Sequence, residues 1–308
     1  MSPPPNKNYF HYSIDYNSTQ AQKLPANAAD LLVLETGLSK QKIKKAMQQG
    51  AVWLSHGKTN KRLRQGNSLL KIGAKLDIYY DENLLSAKPP EPVLIKDEDA
   101  YSIWYKPCGL LSQGSLWGDS HAINRYAELQ LRPQRPVFLI HRLDREACGL
   151  MLLAHNKKMA GLLSELFQDR KVIKHYRAFV QGNIGLDKIT LDKKLDGKAA
   201  LTTVEPLYYD AENNRSLLSI NIETGRKHQI RRHLADYGFP VLGDSLYGEK
   251  SKTANNNLQP LSVYLAFVCP MKKQMKIFSL LENNAPRLPV ELDDNLESLL
   301  ATSRHRDQ

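Results

Sequence analysis

Cysteine is scarce in this chain: three in 308 residues, Cys108, Cys148 and Cys269. That is too few for a disulfide framework, and no two lie at the short spacing of a zinc site. Long apolar runs are also missing. The longest, 149–154 and 263–268, fall far short of the roughly 20 residues that span a bilayer. The opening Met1-Ser2-Pro3-Pro4-Pro5 has no apolar signal core. The expectation is a cytoplasmic protein with no membrane partner. No Gly-x-x-x-x-Gly-Lys phosphate loop and no His-Glu-x-x-His occur, and His228 and His233 are five residues apart rather than the four that put two ligands on one helical face. Neither ATP, metal nor any other cofactor is expected. Acidic residues are outnumbered, 32 against 43 Lys and Arg, leaving a net charge of +11. An excess of that sign points to an anionic partner, whether RNA, DNA or an acidic surface, and charge by itself does not choose among them.

What is present is an ordinary globular composition, 42% hydrophobic and 24% charged, in a chain long enough for two domains. Residues 1–26 are polar and aperiodic and read as an arm or a short strand against the body. From 27 to 83 the pattern is helical and then extended. Ser39 is a plausible N-cap for a helix over 40–49. At 100° per residue Ile43, Ala46 and Met47 share one face, with Lys40, Lys44 and Lys45 on the other side, and Gly50 supplies the stop. Strands follow at 51–55 and 76–80 around a His56-Gly57-Lys58 turn, with Arg62 and Arg64 at a loop tip. Residues 84–92, with Lys88-Pro89-Pro90-Glu91-Pro92, read as an extended linker. Beyond it, 93–288 alternates strands (93–95, 101–105, 174–181, 201–207, 216–222) with helices at 157–169 and 226–237. That irregular order fits an α+β fold with a mixed, mainly antiparallel sheet better than a doubly wound one. Residues 289–308 form a polar C-terminal tail.

Three motifs carry the chemistry. His141-Arg142-Leu143-Asp144-Arg145 sets one carboxylate between two arginines, just before the apolar run of 149–154. Flanking cations favour its ionised form, so Asp144 is poised as a nucleophile or a base. The plainer alternative is an ordinary surface ion pair with Arg142 or Arg145. Downstream come Lys174-His175-Tyr176-Arg177-Ala178 and Thr224-Gly225-Arg226-Lys227-His228-Gln229-Ile230-Arg231. This ordered set resembles the RluA-type pseudouridine synthases. Lys106-Pro107-Cys108-Gly109 and the run from Gly238 to Gly248 are similar to two further segments of that family. Residues 27–83 resemble an S4-type α/β RNA-binding domain, whose basic helix and hairpin face the nucleic acid. Where many relatives have Thr-Ser, this chain has Ala147-Cys148, and the loss of a hydroxyl removes one potential brace of the loop.

The resemblance implies a pseudouridine synthase fold preceded by the S4-like domain, and an isomerase that acts on uridine in structured RNA, ribosomal first and transfer RNA second; the sequence does not encode an oligomeric state, and a monomer is the simplest expectation. It makes Asp144 the nucleophile, attacking ribose or base, and Arg231 the cation paired with it, with Arg226 a less favoured occupant of that role. Tyr176 either stacks on the extruded uracil or relays the proton lost from C5; an isolated strand Tyr is otherwise a core residue. Arg142 either fills the gap left by a flipped nucleotide, holds its phosphate, or forms a structural ion pair. His141 is read as structural. Lys40, Lys44, Lys45, Arg62 and Arg64 are the candidate RNA contacts, against the alternative of a solvated basic face.

Two other readings compete with this one. Gly243-Asp244-Ser245-Leu246 matches the short signature of GDSL esterases, but the only later histidine to complete such a site is His305. A catalytically inactive RNA-binding or assembly protein is suggested by Ala147-Cys148 and opposed by the joint presence of Asp144, Tyr176 and Arg231.

Overall fold

The computed structural model describes residues 8–22, 24–248 and 260–281. The chain divides into two compact units, Met1–Pro89 with Gln113–Leu129, and Pro90–Ser112 with Gln130–Gln308. The expected tail, 289–308, and with it His305, lies outside the described residues.

The first unit contains β1 (Tyr9–Tyr16), α1 (Ser18–Ala21), α2 (Ala28–Thr36), α3 (Lys40–Gln48), β2 (Val52–His56), β3 (Thr59–Arg62), β4 (Ala74–Asp81), α4 (Glu82–Ser86) and most of α5 (Ile123–Gln130). Asn27 starts α2 by accepting from the amides of Ala29 and Asp30, and Gly37, at φ 67, ends it. Ser39 caps α3 through the amide of Lys42. Ile43, Ala46 and Met47 are fully buried, with Leu31, Leu32, Leu76 and Ile78 in the same core. Burying a side chain such as Ile43 contributes about 1.5–3 kcal/mol, and that leaves Lys40, Lys44 and Lys45 facing outward.

The four strands lie in the order β1-β4-β2-β3, all antiparallel. Of the two expectations for residues 1–26, an arm or a short strand against the body, the structure has the strand: β1 is an edge strand paired with β4 over its whole length. The expected linker is shorter than 84–92, because α4 packs Leu85 into the unit's core. Residues 113–129, which follow the second unit's strands in sequence, also belong here. Trp117 stacks on Tyr9 at 4.4 Å, Trp53 Nε1 donates to the Leu116 carbonyl at 3.0 Å, and the Asp119 amide donates to the Gln49 carbonyl at 2.9 Å.

The second unit is α+β. Its elements are β5 (Val93–Asp97), β6 (Tyr101–Lys106), β7 (Phe138–Leu139), β8 (Cys148–Ala154), α6 (Lys157–Gln168), β9 (Ile173–Gln181), β10 (Ile189–Leu191), β11 (Thr202–Asp210), β12 (Arg215–Ile222), α7 (Gln229–Asp236), β13 (Leu261–Val268) and β14 (Met275–Ser279). The sheet runs β10-β11-β12-β9-β13-β8-β6-β5, with β14 on β13 and β7 on β8. Every described pairing is antiparallel except β13 with β8. All residues of β6 and β8 are buried, which is why 149–154 reads as an unbroken apolar run rather than an alternating one. Helix α7 is shorter than the expected 226–237. His228 sits in the left-handed region at φ 53, so helical geometry begins only at Gln229.

Candidate active site

Four neighbouring strands place Lys106, Gly149, Ser262 and Tyr176 in one register row across β6, β8, β13 and β9. The row is compressed at Gly149, whose φ is 110; a Cβ there would lie 2.2 Å from the Ser262 carbonyl oxygen. Only glycine lets β13 run this close beside β8. Asp144 lies on the loop entering β8, beside this row.

That loop is braced from several sides. His141 stacks on Phe167 at 4.6 Å, and its Nε2 accepts from the Leu152 amide at 2.9 Å. Burial pushes its pKa down to about 3, so it is a neutral structural acceptor with its proton on Nδ1. Ser112 Oγ donates to the Leu143 carbonyl at 2.5 Å and accepts from the Leu143 amide at 3.0 Å. The amide of Gly109, at φ 83, donates to the Arg145 carbonyl at 2.8 Å. Cys108 Sγ donates to the Glu146 carbonyl at 3.1 Å. Lys106, fully buried, donates to the carbonyls of Leu110 (2.7 Å), Pro107 (3.1 Å) and Arg145 (3.4 Å), and burial lowers its pKa to about 8. The 106–112 segment thus holds the loop without a hydroxyl at Ala147, whose amide closes it onto the Asp144 carbonyl at 3.2 Å.

The Asp144 side chain is one-third exposed. Burial raises its pKa, as does Glu146, while His228, Arg231 and Lys106 oppose the rise. This corrects the reading of the sequence in two respects. The flanking arginines do not set its charge state, since Arg142 and Arg145 are both exposed; side chains adjacent along an open loop splay apart. Arg231, moreover, is not hydrogen-bonded to Asp144. It is buried and makes a bidentate pair with Asp244 (Nε–Oδ2 2.6 Å, Nη2–Oδ1 2.7 Å), with Nη1 3.3 Å from Glu146 Oε2. Its charge reaches Asp144 through space. Burial alone would lift Asp244, but Arg231 and the amides of Leu246 and Tyr247 outweigh it and hold the carboxyl below its usual range.

Tyr176 is buried. Burial first, and then the charge of Asp144, raise its pKa, against a hydrogen bond with Ser262. The phenol is therefore neutral and unsuited to act as a phenolate base. Asp144, Tyr176 and Arg231 thus share one charged neighbourhood. Arg142 stands exposed on the loop, with no hydrogen bond or ion pair among the described residues. Arg226 donates from Nε to the Ala199 carbonyl at 3.0 Å, away from the carboxylates.

Four contributors escape a reading of the sequence. Glu146, Asp244 and Tyr247 lie inside recognisable motifs, so their presence is visible there but their partners are not. His228 gives no signal beyond its place in the third motif. Its Nε2 is 3.8 Å from Asp144 Oδ1, and its Nδ1 is 2.9 Å from Tyr247 Oη. Asp244 also explains the run at 243–246: its carboxylate is engaged by Arg231, and Ser245 is exposed with no hydrogen bond to a histidine among the described residues.

In the first unit, Lys44 and Lys45 are exposed, and Lys40 pairs with Asp30 at 2.5 Å. A groove of about 600 Å³ is lined by Lys40, Lys44, Gln48, Arg64 and Asn67, among others. Arg62 departs from the expected RNA-facing role. Its guanidinium covers Trp53 at 4.3 Å and is held by the Gly50 and Ser115 carbonyls and by Asp119. Arg64 also binds Asp119, yet keeps an edge on the groove.

Residues 100–236 match the RNA pseudouridylate synthase family. The chain is 37% identical to the tRNA pseudouridine synthase C of Haemophilus ducreyi, across 59% of this chain and 87% of that protein. It is 30% identical to the ribosomal large subunit pseudouridine synthase C of Rickettsia typhi, across 75% and 83%. The solved structure of human RNA pseudouridylate synthase domain containing 1 superposes with a TM-score of 0.53 at 21% identity, across 70% of this chain and 90% of that one, and supports the fold. These matches and the α+β architecture define a pseudouridine synthase domain. The chain belongs to the RNA pseudouridine synthase family, in its RluA-type branch, and is an isomerase that converts uridine to pseudouridine in RNA.

Proposed function

We propose that Asp144 is the nucleophile of this reaction and that the substrate is ribosomal RNA. The observation that carries the assignment is the placement of Asp144: a partly exposed carboxylate on a loop fixed by at least six hydrogen bonds, facing His228 and the charge of Arg231. Pseudouridine formation breaks the bond between C1′ and N1, turns the uracil and joins C5 to C1′; C5 loses a proton and N1 gains one, so composition is unchanged. Asp144 attacks either the ribose or the base, and in a route that removes a ribose proton it also serves as the base. Tyr176, neutral and facing Ser262 across the β9–β13 pair, packs the extruded uracil rather than accepting its proton. Arg231, fixed by Asp244, supplies the positive potential that keeps the partly buried carboxylate ionisable. Exposed Arg142 contacts the backbone of the flipped nucleotide or the gap it leaves.

The first unit is the RNA-docking element, and Lys44 and Lys45, with Lys40 and Arg64 at the rim of the groove, bind phosphates. Ribosomal RNA is favoured because an S4-like unit accompanies the catalytic one. The relatives' names include both ribosomal and transfer RNA enzymes, and transfer RNA is the second reading. The protein works in the cytoplasm as a monomer. Asp144→Asn is expected to abolish pseudouridine formation, read by mass spectrometry of digested RNA, with RNA affinity retained; full turnover by that variant refutes the assignment. Pseudouridine maps of cellular RNA with and without the gene decide the RNA class.

A further inference from the structure

Asp144 is a nucleophile with no hydrogen bond to its carboxylate among the described residues, although the backbone on both sides of it is tied down. A carboxylate free to rotate presents its attacking oxygen only part of the time. The polar side chain that faces it is His228, with Nε2 3.8 Å from Oδ1.

Two features of His228 point to a built orientation. Its backbone is left-handed, at φ 53 and ψ 31, a conformation that glycine adopts freely and histidine does not. This position turns the ring toward Asp144 instead of continuing α7. Its other nitrogen, Nδ1, lies 2.9 Å from Tyr247 Oη. Tyr247 is in turn fixed by Asp244, which accepts from its amide at 3.1 Å, and by Arg231, whose guanidinium lies 5.3 Å from the ring centre. With Tyr247 donating to Nδ1, the neutral ring carries its hydrogen on Nε2; the imidazolium carries one there as well. The remaining tautomer would set a lone pair against the carboxylate. In both favourable states an N–H points at Asp144. Closing 3.8 Å to hydrogen-bond length takes a movement of about 1 Å, of the kind that substrate binding brings to loosely set catalytic hydrogen bonds.

We infer that His228 is a positioning residue, held by Tyr247, whose Nε2–H fixes the Asp144 carboxylate so that its other oxygen points at the substrate. This rests on the reading of Asp144 as nucleophile.

The test uses the position's own backbone. His228→Gly suits the left-handed geometry and so removes the ring without straining the fold. We expect an unchanged melting temperature, unchanged RNA affinity and KM, and kcat lower by about 10- to 100-fold, the scale of a misaimed reacting group. His228→Gln, whose amide N–H reaches toward the Nε2 position, recovers most of that loss. Tyr247→Phe lowers kcat less, and the double variant His228→Gly/Tyr247→Phe is no slower than His228→Gly, because Tyr247 acts through the histidine. Wild-type kcat in His228→Gly, or multiplying losses in the double variant, overturns the inference. Should His228→Gly lose stability, His228→Gln and Tyr247→Phe still decide it through the split between kcat and KM. Asp144→Asn is measured alongside: if it is inactive while His228→Gly is fully active, only the histidine's role falls, and if it is active, the nucleophile assignment falls first.

Discussion

Asp244→Asn is the perturbation that most directly separates stability from chemistry in this site. Arg231 is 1% exposed and Asp244 2%, so their two-pronged ion pair is almost wholly withdrawn from water. Asparagine keeps the shape but leaves a buried guanidinium whose remaining anionic partner, Glu146, reaches it only once, at 3.3 Å, from a side chain 38% exposed. Breaking a buried pair from one side costs about 3–5 kcal/mol. For a unit of this size, that corresponds to a fall in melting temperature of roughly 6–20 °C. Calorimetry or denaturant titration of the full chain measures it. Replacing both partners by apolar residues, Arg231→Met with Asp244→Leu, removes the stranded charge and is expected to return most of the stability. Activity is not expected to return with it, because Asp144 has then lost the Arg231 charge that opposes its desolvation. A single variant that melts within about 1 kcal/mol of wild type, or a double variant with wild-type kcat, would refute the assigned roles.

Three further outcomes follow from the geometry. Gly149→Ala is expected to cost about 1–3 kcal/mol for its backbone angle and a similar amount for the collision with Ser262, with a loss of kcat as β13 is pushed from β8; a melting curve like that of wild type would contradict the register. Burial holds the Asp144 carboxyl above the ordinary carboxylate range, so kcat should be present above that raised value and fall as pH drops through it, at a higher pH than for a solvated aspartate; an acid limb within the usual range refutes the desolvation argument. Lys44→Glu with Lys45→Glu should flatten the salt dependence of RNA binding by about one unit of log–log slope for each phosphate no longer neutralised, while kcat at saturating RNA stays the same; an identical slope excludes α3 from the interface.

Elements with local causes can be read from the sequence. Helix α3 is located by Ser39 and by the spacing of Ile43, Ala46 and Met47, and strands β6, β8, β9 and β12 by their apolar patterns. Asp144, Tyr176 and Arg231, the proposed catalytic residues, stand out by motif, and the structure brings their charges and side chains into one neighbourhood. What escapes depends on partners distant in sequence. Strand β1 is polar on one side because only its other side meets the core, and its pairing with β4 spans Tyr9 to Asp81 at one end and Tyr16 to Ala74 at the other. Arg231 is easily matched to the wrong carboxylate because Asp144, Glu146 and Asp244 are all chemically able to pair with it, and only the fold selects Asp244. His228 is inconspicuous because its usefulness comes from a backbone angle that no residue spacing encodes. Arg62 looks like a solvent-facing cation because two of its acceptors, the Gly50 and Ser115 carbonyls, are main-chain atoms.

The docking of residues 113–129 into the first unit means that this unit is not a continuous stretch of gene. A cut at the proline-rich joint near residue 90 would not excise it whole: the amino-terminal fragment would lose Trp117 and Asp119, uncovering Tyr9 and leaving Arg62 and Arg64 without their acid. The other fragment would carry an orphaned tryptophan-bearing loop. Transplanting this module onto another enzyme, or stripping it from this one, therefore requires grafting two segments together, and an apparent folding defect after simple truncation would report a severed module rather than a failed catalytic domain.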